Sequence, residues 1–440
     1  MKNEIEHTST MLGSQNMKSS QRMVSVVEPY ELPEGWKWCR LGDFINIFRG
    51  VSYKKNDAHN EKQESDCLII RGGNIDEGCI NLNSDNVFVN KSLVSENQII
   101  KKNDVIIVTS TGSIKVIGRA GVSASDYEDV AFGAFLTLAR PNEKANKSFV
   151  NQYFQSSLYR ERIRQLASGV NINNIRIEYI TESPFPLPPT LDEQQRIVKR
   201  IESMFAKLDE AKEKAQNVVD GFETRKAAIL HKAFTGELTA KWRKENGVSD
   251  DSWEEKTIGE CLIAISDKYD PQKDKIDGAQ YIGLENIEAN GGIISTGDVS
   301  SVKSIKTLFK NNDLLYGKLR PYLNKHDIVE FDGICSTDIL VYRSKPEYEI
   351  KFFNYLFSQN CFIQYAIENS NGINLPRTSE KNISAYSQKI PTLPEQVEIV
   401  RILDIIIEKE NKAKQAAEAV LEQIDLLKKS ILARAFRGEL

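Results

Sequence analysis

Apolar residues recur at alternating steps of four and three in two stretches of this chain, residues 189–238 and 391–440. Such a heptad pattern is typical of a long helix that buries one stripe of its surface against another helix. The first stripe contains Ile197, Ile201, Met204, Leu208, Ala211, Ala215, Val218 and Phe222, and the second contains Ile399, Leu403, Ile406, Glu410, Ala413, Ala417, Val420 and Ile424. We therefore predict two long helices, with Glu410 as the one polar residue in either stripe.

The two helical stretches are copies of each other. PTLDEQQRIVKRI at 189–201 reappears as PTLPEQVEIVRIL at 391–403, and AFTGEL at 233–238 reappears as AFRGEL at 435–440. The differences 391 − 189 and 435 − 233 both equal 202 residues. Two matched ends with no net insertion between them indicate a duplicated segment of fixed length.

The length of the helices favours pairing between them. A helix of about 40 residues spans about 60 Å, which is longer than a small domain. The alternative, in which each stripe packs on its own domain, is therefore less favoured. The first helix leads from one globular region to the next, and the second helix can pack on it only by running back. The sequence thus predicts an antiparallel coiled coil with pseudo-twofold symmetry.

The globular regions repeat more weakly. WKWCRLGD at 36–43 corresponds to WEEKTIGE at 253–260. Apolar runs within 103–112 and 312–321 predict buried strands that open into polar loops. A short amphipathic helix is predicted in each region, over residues 150–167 and 351–367.

The resulting fold class is α+β, with two mixed α/β domains joined by the two long helices. The segment SPFPLPPT at 183–190 is interpreted as a linker ahead of the first long helix. The predicted boundaries are a disordered leader at 1–28, a first globular domain at 29–188, a first helix at 189–245, a second globular domain at 246–390 and a second helix at 391–440.

Composition and charge narrow the function. The net charge of −4 argues against a polycation that coats nucleic acid, but local basic patches remain compatible with DNA binding. The six cysteines form no C-x-x-C pair and the four histidines are far apart, so no metal site is expected. No apolar run reaches the ~18–20 residues of a membrane span, and no secretory signal is evident, so a cytoplasmic location and no membrane contact are expected.

Enzyme motifs are absent from the sequence. It contains no G-x-x-x-x-G-K-[ST] phosphate loop, no H-E-x-x-H and no G-x-S-x-G. We therefore expect this chain to perform no catalysis itself.

Two variable α/β regions thus alternate with two helical regions that begin P-x-x-E-Q and end A-F-x-G-E-L, after an opening LPEGWKWCRLGD at 32–43. This pattern resembles the specificity subunit of type I restriction–modification systems, from about residue 30 to residue 440. The resemblance implies that each globular region is a target recognition domain for one half of a bipartite, asymmetric DNA sequence. It also implies that the helices fix the spacer between the half-sites.

The resemblance further implies the partners. The helices would dock two methyltransferase (modification) subunits, and restriction or motor subunits would join the full complex on double-stranded DNA. No cofactor is expected on this chain, because S-adenosylmethionine, ATP and Mg²⁺ would be bound by the partner subunits.

Candidate DNA-binding residues lie in polar loops that carry the side chains able to contact bases or phosphates. Lys318 and Arg320 are the strongest candidates, because the small Gly317 before them would let the backbone approach a ligand. The alternative for every loop is a solvated turn whose polar groups satisfy the local backbone. The candidates are Thr109, Ser110, Thr111, Lys115, Arg119, Asn171, Asn174 and Arg176 in the first domain, and Lys318, Arg320, Tyr322, Asn324, Lys325, Asn374 and Arg377 in the second.

Two other functions stay open at this point. One is the specificity chain of a related type II-like restriction–modification enzyme, whose partner fuses methylase and nuclease. The other is a coiled-coil scaffold that binds proteins and has no affinity for DNA.

Overall fold

The computed structural model describes residues 28–76, 78–83, 85–168, 174–274 and 279–440, so the predicted leader up to residue 27 lies outside the described part. The chain divides into two compact units. The first unit extends to Ala211 and also includes Gln423–Leu440, and the second unit is Lys212–Glu422. Each unit contains three sheets together with helices, so the predicted α+β fold class is confirmed.

The first unit contains ten strands and the start of a long helix within its described residues. Its elements are β1 (Lys37–Arg40), β2 (Ile45–Arg49), β3 (Ala58–His59), β4 (Asp66–Ile70), β5 (Val87–Asn90), β6 (Val105–Val108), β7 (Ala120–Val122), β8 (Val130–Phe132), β9 (Leu136–Pro141), α1 (Lys147–Gln155), α2 (Ser157–Ser168), α3 (Ile177–Thr181), β10 (Pro184–Leu187) and α4 (Leu191–Asp220).

The second unit repeats this order. Its elements are α5 (Phe222–Phe234), α6 (Ala240–Asn246), β11 (Glu254–Thr257), α7 (Ile258–Cys261), β12 (Leu262–Ile265), β13 (Lys268–Tyr269), β14 (Gln280–Ile282), β15 (Lys306–Phe309), β16 (Leu314–Gly317), β17 (His326–Ile328), β18 (Gly333–Cys335), β19 (Ile339–Ser344), α8 (Ile350–Phe357), α9 (Asn360–Glu368), α10 (Glu380–Ser384), β20 (Ser387–Ile390) and α11 (Leu393–Phe436).

One four-stranded sheet is the same in both units. Its order is β2-β9-β6-β7 in the first unit and β12-β19-β16-β17 in the second, with antiparallel pairing throughout. The strands β6 and β16 are runs of buried residues, as in Val105–Val108, because the sheet is covered on both faces. The segment interpreted as a linker instead contains β10, which pairs with β1 and buries Phe185.

A buried ion pair fixes the same sheet in each unit. The carboxylate of Asp104 accepts bonds of 2.8 and 2.7 Å from Arg140, and that of Asp313 accepts two bonds of 2.7 Å from Arg343. Both aspartates are almost completely buried and lie just before the central strand. These matched pairs establish which residues of the two units are equivalent.

The second four-stranded sheet differs between the units. Its order is β3-β5-β4-β8 in the first unit, but β13-β15-β18-β14 in the second. β5 pairs with β4, whereas its counterpart β15 pairs with β18. The parallel pairs β4–β8 and β14–β18 are retained. The two globular domains have thus diverged in the region away from the shared sheet.

Each predicted short helix is in fact two helices. α1 and α2 are separated at Ser156, and α8 and α9 are separated at Ser358 and Gln359. The Ser156 hydroxyl donates to the carbonyl of Tyr153 over 2.6 Å, which ends the first helix. The break lets aromatic residues of both helices pack together, as Phe154 and Tyr159 do with ring centroids 4.9 Å apart.

The first long helix is also interrupted, whereas α11 runs through 44 residues without a break. Gly221 separates α4 from α5, and a Cβ at this position would lie 2.5 Å from Nη1 of Arg225. Arg225 donates to the carbonyl of Val218 over 2.9 Å and also pairs with Glu410 over 2.7 Å. The interruption of the second heptad stripe by Glu410 is thereby explained, because its partner is an arginine on the other helix.

The helices run antiparallel within each unit. In the first unit, Arg196 bonds the backbone oxygen of Leu440, and Asp209 pairs with Lys428 further along α4. In the second unit, the ammonium of Lys414 lies 4.8 Å from the ring centroid of Phe222. Further along α5, Arg225 pairs with Glu410, which precedes Lys414 on α11. As residue numbers rise on one helix they fall on the other, as the sequence predicted.

The A-F-x-G-E-L motif completes the core of each unit. Phe436 inserts between Phe149 and Tyr153, with ring centroids 5.0 and 5.6 Å away, and Phe234 lies 5.0 Å from Phe352. The motif glycine that follows ends each helix at a positive φ of 72° or 80°, a conformation that favours glycine. The phenylalanine therefore closes the core and the glycine turns the chain away from it.

The E-Q motif fastens each helix to its domain. The side-chain oxygen of Gln194 accepts the N–H of Asn146 at 2.8 Å, and Gln396 accepts that of Glu349 at 2.9 Å. The two glutamates that precede these glutamines behave differently: Glu193 pairs with Arg196 near the surface, whereas Glu395 is fully buried.

The buried carboxylate of Glu395 has three donors. It accepts bonds of 2.6 Å from Thr239, 2.6 Å from Arg243 and 3.1 Å from the indole of Trp253. A buried ion pair is costly to break, because the remaining charge keeps its desolvation penalty. Glu395 therefore connects α11 to α6 and to the start of β11 in the second unit.

We expect Glu395→Ala to destabilise the second unit by about 3–5 kcal/mol, because the buried Arg243 would keep only the exposed carboxylate of Asp250 as a partner. The matched control is Glu193→Ala in the first unit, where removing a surface pair should cost less than about 1 kcal/mol. Urea unfolding followed by tryptophan fluorescence measures both, since Trp253 contacts Glu395 in the second unit and Trp36 packs against the core of the first. Equal losses in the two variants would contradict this prediction.

Candidate nucleic-acid interface

In the first unit, two candidate loops come together where β6 ends. The loop after β6 begins at Thr109, and its carbonyl accepts the N–H of Ile175 at 2.8 Å. Ser110 forms an isolated antiparallel bridge with Asn174. The structure therefore brings Ser110, Asn174 and Arg176 to one site, whereas Asn171 lies outside the described residues.

A third segment, the turn before β9, joins this site. The N–H groups of Thr109 and Ser110 both donate to the carbonyl of Phe135, at 3.1 and 3.0 Å. The phenyl ring of Phe135 nevertheless remains 68% exposed. A large apolar side chain held outward on a fixed backbone is a candidate contact that the sequence alone did not single out, because nothing in its pattern separates it from a core residue.

The candidates in the first loop have different surroundings. Thr109 is buried and its hydroxyl contacts that of Thr137 at 3.1 Å, so this side chain supports the sheet. Lys115 is exposed and Thr111 is half-buried. Arg119 lies at the far end of the loop, where it donates to the carbonyl of Ile75 at 3.1 Å.

A cleft of about 550 Å³ runs along this site. Ser110, Asn174 and Arg176 line it, together with Arg49 at the end of β2. Arg49 and Arg176 are both exposed. Arg49 is not among the residues predicted from the sequence, because its contribution depends on the pairing of β2 with β9.

The second unit builds the equivalent site with the same backbone hydrogen bonds. The N–H of Lys318 donates to the carbonyl of Asp338 at 2.8 Å, and the carbonyl of Lys318 accepts from Thr378 at 3.0 Å. Lys318 therefore occupies the place of Thr109, and Asp338 occupies that of Phe135. The backbone is shared while the side chains differ.

Three basic candidates of the second unit share this site. Arg320 donates its N–H to the carbonyl of Pro376 at 2.8 Å, and Arg377 pairs with Asp338. Burial, and then the nearby charges of Arg377 and Lys268, lower the pKa of Lys318. An anion bound beside Lys318 would relieve this repulsion, which is the electrostatic character expected of a phosphate contact.

Backbone strain marks the loop after β16. Arg320 and Asn324 have φ values of 52° and 44°, which non-glycine residues adopt rarely. Such strain is often found at functional sites, where the surrounding structure maintains it. Arg320 is exposed, and Tyr322 is 51% exposed.

The other candidates in the second unit divide into internal and exposed groups. Asn324 is buried and donates to the carbonyl of Phe357 at 2.9 Å, so it supports the loop from inside. Lys325 is half-buried and its ammonium bonds the carbonyl of Leu284 at 2.7 Å. Asn374 is exposed. Which of these side chains contact DNA stays a prediction.

The prediction that Gly317 lets the backbone approach a ligand is wrong. This glycine is buried, and a Cβ there would lie 2.8 Å from Leu284 and 3.3 Å from the side chain of Lys325. Its small size therefore allows packing inside the unit and not the approach of a ligand.

Neither metal binding nor membrane insertion is indicated within the described residues. They contain no group of three or more histidine, cysteine, aspartate and glutamate side chains arranged to hold a metal ion. None of the helices in the described part of the chain combines the length and the apolar character that crossing a bilayer requires.

Comparison with known proteins gives a consistent result. The family described as the type I restriction modification DNA specificity domain matches residues 33–219 and 250–423. The specificity subunit of the type I restriction enzyme EcoKI from Escherichia coli strain K12 is 29% identical over 430 residues, covering 93% of this chain and 90% of that protein. The StySPI specificity subunit from Salmonella potsdam is 27% identical over 433 residues, with the same coverage of 93% and 90%.

Two solved structures share the fold. The HsdS subunit from Thermoanaerobacter tengcongensis superposes with a TM-score of 0.60 at 19% identity, covering 94% of this chain and 99% of that one. A chain from a structure of complex assembly and conformational transition in a type I R-M system gives a TM-score of 0.67 at 18% identity, covering 94% of this chain and 100% of that one.

His326 is buried at the start of β17, directly after the loop that follows β16, and its titration is expected to make the stability of the second unit depend on pH. Burial lowers the pKa of His326 to about 4, although the hydrogen bond that its ring donates to Asn354 and the charge of Asp327 oppose this shift. The unfolded chain takes up this proton near pH 6.5, so the stability is fully present above that pH and is lost as the pH falls towards 4. We expect a loss of roughly 3 kcal/mol over this range.

Urea unfolding at several pH values tests this prediction. His326→Gln should flatten the dependence between pH 6.5 and 4 relative to the unmodified protein. His231→Gln removes an exposed histidine of the same unit and serves as the control. An unchanged pH dependence in His326→Gln would show that other groups cause it.

Proposed function

Because this chain belongs to the family of type I restriction–modification specificity subunits, we propose that each of its two globular domains reads one half of a bipartite, asymmetric DNA sequence. The observation that carries the proposal is the pair of equivalent loop sites after β6 and β16. In both, the same two backbone hydrogen bonds join the loop to two other segments, but the side chains differ. Two sites with equivalent backbone and different side chains are suited to recognising two different half-sites.

The proposed roles of the loop side chains follow from their chemistry. Arg176 in the first unit and Arg320 in the second are exposed beside fixed backbone, which suits contacts to base edges. Lys318 and Ser110 suit phosphate contacts, because ammonium and hydroxyl groups commonly bind the DNA backbone. The buried Thr109 and Asn324 would maintain loop shape.

We further propose that the two helices set the spacer and dock two methyltransferase subunits. A paired helix is stiff, so its length can fix the number of base pairs between the two half-sites. This chain would bind no cofactor itself and catalyse no step. S-adenosylmethionine would be bound by the methyltransferase subunits, and ATP and Mg²⁺ by the restriction or motor subunits. The assembly would work in the cytoplasm, where its DNA substrate is found.

A related type II-like enzyme would use an equivalent specificity chain with a fused methylase and nuclease. Separate methylase and motor genes beside the gene for this chain would favour the type I assembly. A protein scaffold without DNA affinity is the remaining alternative, and mapping of methylated bases tests it directly.

We expect a two-part methylation motif with a fixed spacer when this chain is expressed with its neighbouring methylase in a methylation-free host. Arg320→Ala should relax one half-site and leave the other unchanged, since loss of a base contact costs about 1–3 kcal/mol of discrimination. Arg176→Ala is the reciprocal control and should relax the opposite half-site. Mapping modified adenines across the genome measures both effects.

Two results would count against this assignment. If both variants altered the same half-site, the two units would not read separate sequences. If an assembled complex modified no DNA at all, the scaffold alternative would be favoured.

We expect the spacer to shorten by about three base pairs when one heptad is removed from each helix, since seven residues span about 10.5 Å. Deleting Lys214–Asp220 together with Ala416–Glu422 keeps the register of the Phe222–Lys414 contact. The half-site bases should not change, because the deletion leaves both loop sites intact. The control is Gln216→Ala, an exposed position inside the deleted segment, which should leave the motif unchanged.

A changed half-site sequence, or an unchanged spacer in a modifying complex, would refute the role of the helices as a ruler.

A further inference from the structure

A crevice of about 140 Å³ in the first unit is lined by basic side chains from three elements. Arg119 precedes β7, Arg160 and Arg164 lie on α2, and Lys429 lies near the end of α11. Glu161 is the only acidic residue in the lining. Four cationic groups beside one carboxylate repel one another, so the crevice has the charge expected of an anion site.

The arginines on α2 are held in place by backbone carbonyls. Arg160 is buried and donates to the carbonyls of Ile117 and Lys115, at 2.8 and 3.3 Å, and Arg164 donates to that of Lys115 at 3.3 Å. These bonds support the loop that follows β6, which carries the candidate DNA contacts of this unit. The crevice therefore adjoins the proposed recognition loop.

Within the described residues, neither Arg119 nor Lys429 takes part in an ion pair. The Nε group of Arg119 is buried without a hydrogen-bond partner. A buried donor of this kind is costly unless a ligand satisfies it, and a guanidinium group matches two oxygens of a phosphate.

The second unit provides an internal comparison. Ile363 is the equivalent of Arg160, because its N–H bonds Gln359 as that of Arg160 bonds Ser156. Lys429 corresponds to Ala227 through the offset of 202 residues. Both Ile363 and Ala227 line the crevice of the second unit, which has a volume of about 410 Å³. The shared fold therefore does not require cations at these places.

We propose that the crevice of the first unit binds a phosphate of the DNA backbone beside the half-site that this unit reads. This inference rests on the proposed function and assigns a phosphate contact to the first unit that the second unit lacks. The guanidinium groups of Arg119 and Arg160 offer fixed donors, and the ammonium of Lys429 adds charge from the helix. The contact adds affinity for DNA without reading sequence.

Lys429→Ala is the deciding variant, because Lys429 is exposed and its loss should not disturb folding. The matched control is Lys226→Ala, which removes a lysine from the crevice of the second unit. Fluorescence anisotropy measures the affinity of the full chain, assembled with its methyltransferase partner, for target and scrambled duplexes at increasing salt.

For Lys429→Ala we expect affinity to fall about tenfold on both duplexes, and the slope of log affinity against log salt to decrease by about one. Lys226→Ala should change affinity less than twofold. Arg119→Gln should repeat the signature of Lys429→Ala, although Arg119 also supports the carbonyl of Ile75.

Several outcomes would overturn the proposal while leaving the proposed function intact. Unchanged affinity and salt slope in Lys429→Ala would exclude a phosphate contact. Weakened assembly with the methyltransferase, measured by sedimentation, would indicate an acidic partner surface instead. Calorimetric binding of inorganic phosphate that Lys429→Ala abolishes, with DNA affinity unchanged, would indicate a free anion. If the unmodified assembly bound no DNA, the proposed function itself would fail.

Discussion

The antiparallel pairing of two amphipathic helical segments is the constraint on which both units depend. The start of α4 contributes Ile197 and Ile201 to the core of the first unit, and the end of α11 contributes Phe436. In the second unit, α11 begins in the core with Ile399 and Leu403, and the end of α5 closes it with Phe234. Burial of large apolar side chains is the dominant favourable term in folding. Each sheet domain therefore shares its core with both helical segments.

This arrangement separates the residues that maintain the fold from those that can vary. The bidentate pairs Asp104–Arg140 and Asp313–Arg343 fix one sheet, and the glutamines of the E-Q motif fix each domain to its helix. Beyond the sheet, the two loop sites share backbone hydrogen bonds, so the side chains that make no internal contacts there are free to differ. Thr109 and Lys318 occupy equivalent places with very different chemistry. A recognition surface can change under such conditions without endangering the core.

The sequence was informative where a pattern repeats along the chain. Heptad spacing predicted the antiparallel helices, and the apolar runs before polar loops predicted β6 and β16. Contacts between distant residues were not visible. The partner of Glu410 lies on the other helix, and the interruption at Gly221 depends on how Arg225 folds back.

The candidate site illustrates the same limit at the level of single side chains. Composition selected the loops, and the structure brings the loops of each unit together. However, Thr109 and Asn324 are polar residues that point inward, while the apolar Phe135 is exposed. Polarity alone does not tell which side of a loop a residue faces, because that depends on neighbouring strands. Arg49 was missed because its place at the site depends on the pairing of β2 with β9.

The division of the chain between the units has a consequence for biosynthesis. All residues of the second unit have been translated once Glu422 is made, whereas the first unit still lacks Leu432, Ala435 and Phe436 from its core. The domain that leaves the ribosome first is thus the last to close, and its apolar surface stays open while the rest of the chain is synthesised. During that interval the nascent protein would be most exposed to aggregation and to chaperones, and the final turns of α11 would end it.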